Sequence, residues 1–183
     1  MKYKTITSST KIYFVSSVIT EHKIIFTENE IASIPLNSLN WFCENEMWKL
    51  YAFCLMPNHI HFIVKLLNSN TIENLLARFH SFTGHEIINC LKKNGKKQLL
   101  NFFHTAAVDK KPDRDYLVWE DSVVKIIESQ DVFLELIEYV HNNPVNKKWR
   151  LAATRTDYLY SSSCFYDKDT PPYIPVDDVS DIL

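Results

Sequence analysis

Apolar and polar positions along the chain fall into alternating and helical stretches that can be read in order. Residues 11–19 are rich in β-branched and aromatic side chains and predict a strand. Over residues 28–46, Ile31, Ile34, Leu39 and Phe42 recur at helical spacing, with Pro35 predicting a break or a helix start inside the stretch. Residues 49–56 and 59–67 predict two further strands, and Pro57-Asn58 between them is turn chemistry, so the pair reads as a hairpin. A helix then runs from Thr71 to about Leu91, with Asn70 or Thr71 as its N-cap. Residues 92–114 are polar and lysine-rich and read as a long irregular loop or insertion. Residues 116–127 predict a fourth strand, and Ser129 or Asp131 caps a last helix through Asn143 that Pro144 terminates. The order β-α-β-β-α-β-α predicts an α+β fold: a ferredoxin-like antiparallel sheet with an added C-terminal helix.

Composition narrows the chemistry. A chain of 183 residues fits one domain. We expect that domain over residues 1–165, followed by an acidic, Pro- and Asp-rich tail over 166–183, loosely held or draped on the body. Only two glycines occur, Gly84 and Gly95, so no glycine-rich loop can cradle a phosphate, and a nucleotide cofactor is excluded. No apolar run approaches the ~20 residues that cross a bilayer. Residues 1–5 lack the long apolar centre that a signal peptide needs behind its basic start. Cys43, Cys54, Cys90 and Cys164 form no CxxC pair and read as reduced thiols, so the expected setting is cytoplasmic and without zinc. The net charge of −2 argues against a nucleic-acid partner, but the acidic tail supplies it and the body carries a small basic excess. Lysines gather at Lys92 and Lys93, at Lys110 and Lys111, and at Lys147 and Lys148, in clusters that ordinarily read as solvated loops and that permit phosphate contacts.

Two segments carry candidate chemistry. In Pro57-Asn58-His59-Ile60-His61, strand alternation projects His59 and His61 side by side while Ile60, Phe62 and Val64 point into the core. Such a pair is either two surface histidines or half of a metal site, and the spacing alone does not choose. In Tyr139-Val-His-Asn-Asn-Pro, Tyr139 and Asn143 stand four apart on one helical face. Alone, they read equally as a core-edge aromatic and a C-terminal cap. His141 points about 200° away from Tyr139 and reads as a bystander. Trp119 and Trp149 read as packing anchors.

Together, in this order and spacing, the two segments resemble the single-tyrosine transposases of the HUH superfamily, in particular the repeat-associated tyrosine transposases. The resemblance extends to Tyr51-Ala-Phe-Cys-Leu-Met ahead of the histidines and to Asp157-Tyr-Leu-Tyr-Ser-Ser behind. It implies a metal-dependent transposase that cleaves and rejoins single-stranded or hairpin DNA through a 5′-phosphotyrosine bond. Tyr139 would be the nucleophile, His59, His61 and Asn143 the ligands of a divalent metal, Mg²⁺ or Mn²⁺, and the last helix the catalytic one. Relatives act as monomers or as homodimers, so both remain open. Arg78, Lys92, Lys93, Lys147, Lys148 and Arg150 are candidates for DNA-phosphate contacts. Glu120-Asp121 departs from the family pattern and would repel a passing phosphate backbone, which motivates an alternative: a domesticated DNA-hairpin-binding protein without transposition activity. A phosphodiesterase using activated water is a third reading.

Overall fold

The computed structural model describes residues 11–182, so residues 1–5 lie outside the described residues. Four strands, β1 (Ile12–Val18), β2 (Trp48–Met56), β3 (His59–Leu66) and β4 (Val123–Ile126), form one antiparallel sheet in the order β2-β3-β1-β4. Helices α1 (Asn29–Glu44) and α2 (Ile72–Lys93) are its crossovers, and this is the ferredoxin-like arrangement expected from the element order. Helices α3 (Lys97–Lys110), α4 (Gln130–Asn142) and the short α5 (Ser163–Lys168) complete the chain. Among the described residues no helix is long and apolar enough to cross a membrane.

The caps act where the sequence put them. Thr71 accepts a hydrogen bond from Asn74 N at the start of α2, and Ser129 accepts one from Val132 N at the start of α4. Pro35 does not break α1. It lies on the buried stripe with Ile31, Ala32, Leu36, Leu39 and Phe42, where core burial offsets the one backbone bond it forfeits. The expected loop over 92–114 is instead mostly helix: α2 runs on to Lys93, Gly95 turns the chain at φ +63°, and α3 follows. Phe103, Ala106 and Ala107 are the buried positions of α3. That stripe is narrow and diluted by lysines, which is why composition hid it. The fourth strand is shorter than 116–127. Residues 117–120 do run beside β1, through Thr20 N to Val118 O and Glu120 N to Val18 O, but the pairing shifts before Val123 and only β4 is regular.

Strand alternation sorts the core into two layers. Val15, Phe53, Leu55, Ile60, Phe62 and Val64 face α1 and α2. Phe14, Cys54, Met56 and Ile63 face the other way, against Phe133, Ile137 and Val140 of α4. Burying each of those α4 side chains contributes about 2 kcal/mol, enough to hold a helix this short to the sheet. Helix α4 lies over β2 and β3. The C-terminal segment lies along the outer edge of β2: Leu55 N donates to Tyr160 O, Ser162 N to Phe53 O, and Asp177 N to Leu50 O. Ile174 is buried in the α1/α2 layer, so the tail is draped on the body.

Candidate active site

The turn between β2 and β3 orients the first histidine. Asn58 Nδ2 donates to His22 O at 2.8 Å, so its Oδ1 is the acceptor that lies 2.6 Å from His59 Nδ1. His59 therefore carries its proton on Nδ1 and keeps Nε2 as the lone-pair nitrogen, the arrangement that prepares a metal-binding imidazole. His61 follows on the same face, 4% exposed, its ring centre 4.6 Å from that of His59. Among the described residues its buried Nδ1 has no hydrogen-bond partner. Burial is the main reason both lose basicity. His59 falls to about 4, with Lys148 and His22 adding repulsion, and His61 falls to about 3, with His59 adding to it. Both are neutral at pH 7, with lone pairs available to a cation.

Helix α4 brings the phenol to them. Tyr139 is 51% exposed, and its ring centre lies 5.3 Å from that of His61. Phe14 packs between the elements, stacked on His61 at 5.6 Å and edge-on to Tyr139 at 5.9 Å. Asn143 begins a 3-10 turn one helical turn further on; it is buried, and its Nδ2 donates to Tyr139 O at 2.7 Å. That bond leaves Oδ1 as the amide's lone-pair end.

No cluster of three or more His, Cys, Asp or Glu among the described residues is placed to hold a metal, so the candidate set is the two imidazoles, with the Asn143 carboxamide as the third donor the resemblance implies. It fits a divalent ion. The donors are neutral, the rings are close enough for both to reach one ion at the ~2.1 Å of a metal–imidazole bond, and His61 keeps a buried nitrogen without a protein partner.

The opposite flank of α4 is bolted down. His141 is fully buried with Nε2 2.8 Å from Ser162 Oγ, its ring 5.1 Å from Tyr166, and burial lowers it to about 4. It faces the C-terminal segment, away from the histidine pair. Arg155 ties Glu138 of α4 to Asp167 of α5 through bonds of 2.6–2.8 Å.

The basic candidates divide in two. Lys147, Lys148 and Arg150 follow the 3-10 turn: Trp149 lies 5.9 Å from His59, and Lys148 lies over the Trp149 ring. Arg78, Lys92 and Lys93 belong to α2, on the far side of the sheet. There Arg78 lies over Trp41 and Phe42, Lys92 over Tyr116, and Lys93 pairs with Glu30 at 3.2 Å. Glu120 and Asp121 are paired with Lys110 and Lys111, so neither acidic residue nor this lysine cluster is a free charge. Sequence reasoning passed over Phe14 and the orienting amide of Asn58. The second was open to inspection because an Asn immediately precedes the first His; the first had no local signal.

Residues 6–112 match the profile of the family described as "Transposase IS200 like". No curated protein matches the sequence. Among solved structures, a REP-associated tyrosine transposase bound to a REP hairpin superposes with a TM-score of 0.61 at 13% identity, over 98% of this chain and 91% of that one. A putative transposase from Deinococcus radiodurans gives a TM-score of 0.48 at 12% identity, over 78% of this chain and 97% of that one. At 13% identity the first likeness is one of fold. The family match ends before Tyr139 and Asn143, so those two positions rest on the geometry above.

Proposed function

The chain belongs to the family of IS200-like transposases, and from that membership we propose that it cuts and rejoins single-stranded DNA through a covalent bond to Tyr139. One observation carries the reading: the half-exposed phenol lies 5.3 Å from the buried, neutral His61, ring centre to ring centre, with Phe14 packed against both.

In the reaction, Tyr139 Oη attacks the scissile phosphorus. An Oη–P bond forms, the bond from phosphorus to the 3′ oxygen breaks, and that oxygen leaves as a hydroxyl after taking up a proton. The 5′ phosphate remains on the tyrosine as an ester. A 3′-hydroxyl from another strand then attacks the ester, restoring the phenol and joining the strands. No nucleotide hydrolysis is needed, which suits a chain without a phosphate-cradling glycine loop. Phe14 restrains the phenol ring against the sheet, so that the attacking oxygen starts near the histidine pair. His59, His61 and Asn143 Oδ1 would hold a divalent cation, Mg²⁺ or Mn²⁺, which when bound screens a phosphate oxygen and makes the phosphorus more electrophilic. Asn58 keeps the His59 lone pair on Nε2, and Asn143 keeps its carboxamide fixed through its bond to Tyr139 O. These residues all come from one chain, so the reading has Tyr139 act in cis.

A similar fold has been captured on a REP hairpin, and we take hairpin DNA with a single-stranded extension as the partner class. Lys147, Lys148 and Arg150 are the assigned phosphate contacts nearest the site. Incubation of labelled hairpin DNA from the flanks of the gene with Mg²⁺ or Mn²⁺ should yield a denaturation-resistant protein–DNA adduct. Tyr139→Phe should yield none, and equal cleavage by that variant sinks the reading. Hairpin binding without any adduct would leave a domesticated binder.

A further inference from the structure

Register across the sheet shows what lies beside the candidate site. Directly opposed residues of an antiparallel pair share a face. His59 is opposite Val18, His61 opposite Ser16, and Ile63 opposite Phe14. Continuing outward, Ser16 is opposite Val123 and Phe14 is opposite Lys125. The face that bears the histidines thus runs on across β1 to β4 through Ser16, Val18, Val123 and Lys125.

Helix α4 covers β2 and β3 and stops short of this half. Val123 is 54% exposed, Lys125 is exposed, and Ser16 and Val18 are half-buried. The stripe Val132, Leu136 and Tyr139 walls one side of the floor, since Phe133, Ile137 and Val140 point inward and His141 faces the other flank. Lys125 has no ion-pair partner among the described residues, unlike Lys93, Lys96, Lys110 and Lys111, which are engaged with carboxylates. It lies two strands from β3, about 10 Å across the sheet, and two residues, ~7 Å, along it from the register of His61, roughly two nucleotides of extended strand away.

We propose that this open half of the sheet carries the single strand next to the cleaved phosphate, with Lys125 holding one of its backbone phosphates and Val123 and Val18 forming the apolar floor under a base. The occupant follows from continuity with the site and from charge. Register carries the floor from His61 through Ser16 to Val123 in unbroken strand pairing, and the exposed lysine beside it is positive. Lys125 on this account is a positioning residue. The proposal rests on the reading of Tyr139 as the strand-cleaving nucleophile.

The test uses the full chain and a hairpin oligonucleotide with or without a single-stranded extension. Lys125→Glu should weaken binding of the extended hairpin about tenfold and lower the salt dependence by roughly 0.7 in log–log slope, as for loss of one single-strand phosphate contact. It should leave the blunt hairpin unaffected. The matched charge change Lys97→Glu, on α3, should alter neither. A photo-crosslinking residue replacing Val123 should capture the extension. Because a charge reversal can perturb folding, Lys125→Gln is measured alongside with a thermal melt, and should show a smaller loss in the same direction. If the parent chain forms its Tyr139 adduct while Lys125→Glu binds like Lys97→Glu and Val123 captures no DNA, this inference falls and the parent reading stands. If the parent chain forms no adduct at all, the site reading fails first and takes this one with it.

Discussion

The sheet face that bears the histidines has two unlike halves. Over β2 and β3 it is sealed: Phe133, Ile137 and Val140 fill the space under α4, and the C-terminal segment closes the outer edge of β2. Over β1 it is only partly covered, with Ile12 and Phe14 buried under the α4 layer but Ser16 and Val18 half-buried, and β4 presents an uncovered edge with Val123, Val124 and Ile126 exposed. Tyr139 stands on the boundary. One helix makes both halves, because its His141 flank is fully buried while its Tyr139 flank is half open. On the proposed function the phenol must meet a macromolecular strand and stays uncovered, so the helix bearing it takes its stability from the other flank. The β4 edge, which would invite strand pairing if long and flat, is short and carries Lys125.

This contrast predicts that substitutions on the open side cost activity and those on the sealed side cost stability. The largest effect expected is Tyr139→Phe. Loss of the phenolic oxygen should lower adduct formation by at least about 10³-fold. The ring and its contact with Phe14 survive, so the melting temperature should scarcely move. A large fall in melting temperature would show that the boundary is not where the geometry puts it. Phe133→Ala is the converse: it empties a fully buried site against Tyr51 and should cost about 3–5 kcal/mol in denaturant unfolding. Unfolding at the parent's denaturant midpoint would mean that α4 is held by something other than this core.

Asn58→Ala removes the acceptor that sets the His59 tautomer. It should reduce Mn²⁺ affinity and cleavage by roughly 10–100-fold, checked by metal titration alongside the cleavage assay at a temperature where the variant is folded. The smallest effect concerns β4 from behind. His80 Nε2 bonds Ser17 Oγ at 2.9 Å and Ser122 Oγ at 3.2 Å, joining the start of β4 to β1 and α2. Burial lowers His80 from 6.5 to about 4, against a small opposing pull from Asp121. A depressed folded-state value means that the stabilisation is complete above pH 6.5 and is lost as pH falls through about 4. Hydrogen exchange should therefore show β4 losing protection over that window before β2 does. In His80→Gln the pH dependence of stability should be shallower by one proton, and an unchanged slope would exclude the linkage.

Much of the fold was legible in local pattern. Apolar and aromatic runs marked β1, β2 and β3, Pro57-Asn58 marked the hairpin, and Thr71 and Ser129 marked the helix starts, because each is a property of neighbouring residues. Pattern failed where the signal was thin or depended on distant partners. Helix α3 buries so few positions that its lysines masked it, and β4 was cut short by an irregularity that only its pairing with β1 reveals.

The same division holds at the candidate site. The sequence by itself singled out the candidate residues and determined that His59 with His61, and Tyr139 with Asn143, share a face within their own elements, since strand and helix periods are local. It could not determine that the phenol's flank turns toward the imidazoles, that Phe14 packs between them, or that Arg78, Lys92 and Lys93 lie behind the sheet while Lys125 lies beside the site. Those follow from strand order, register and the rotation of α4 over its core. All three are set by contacts between residues tens of positions apart, which no local period encodes.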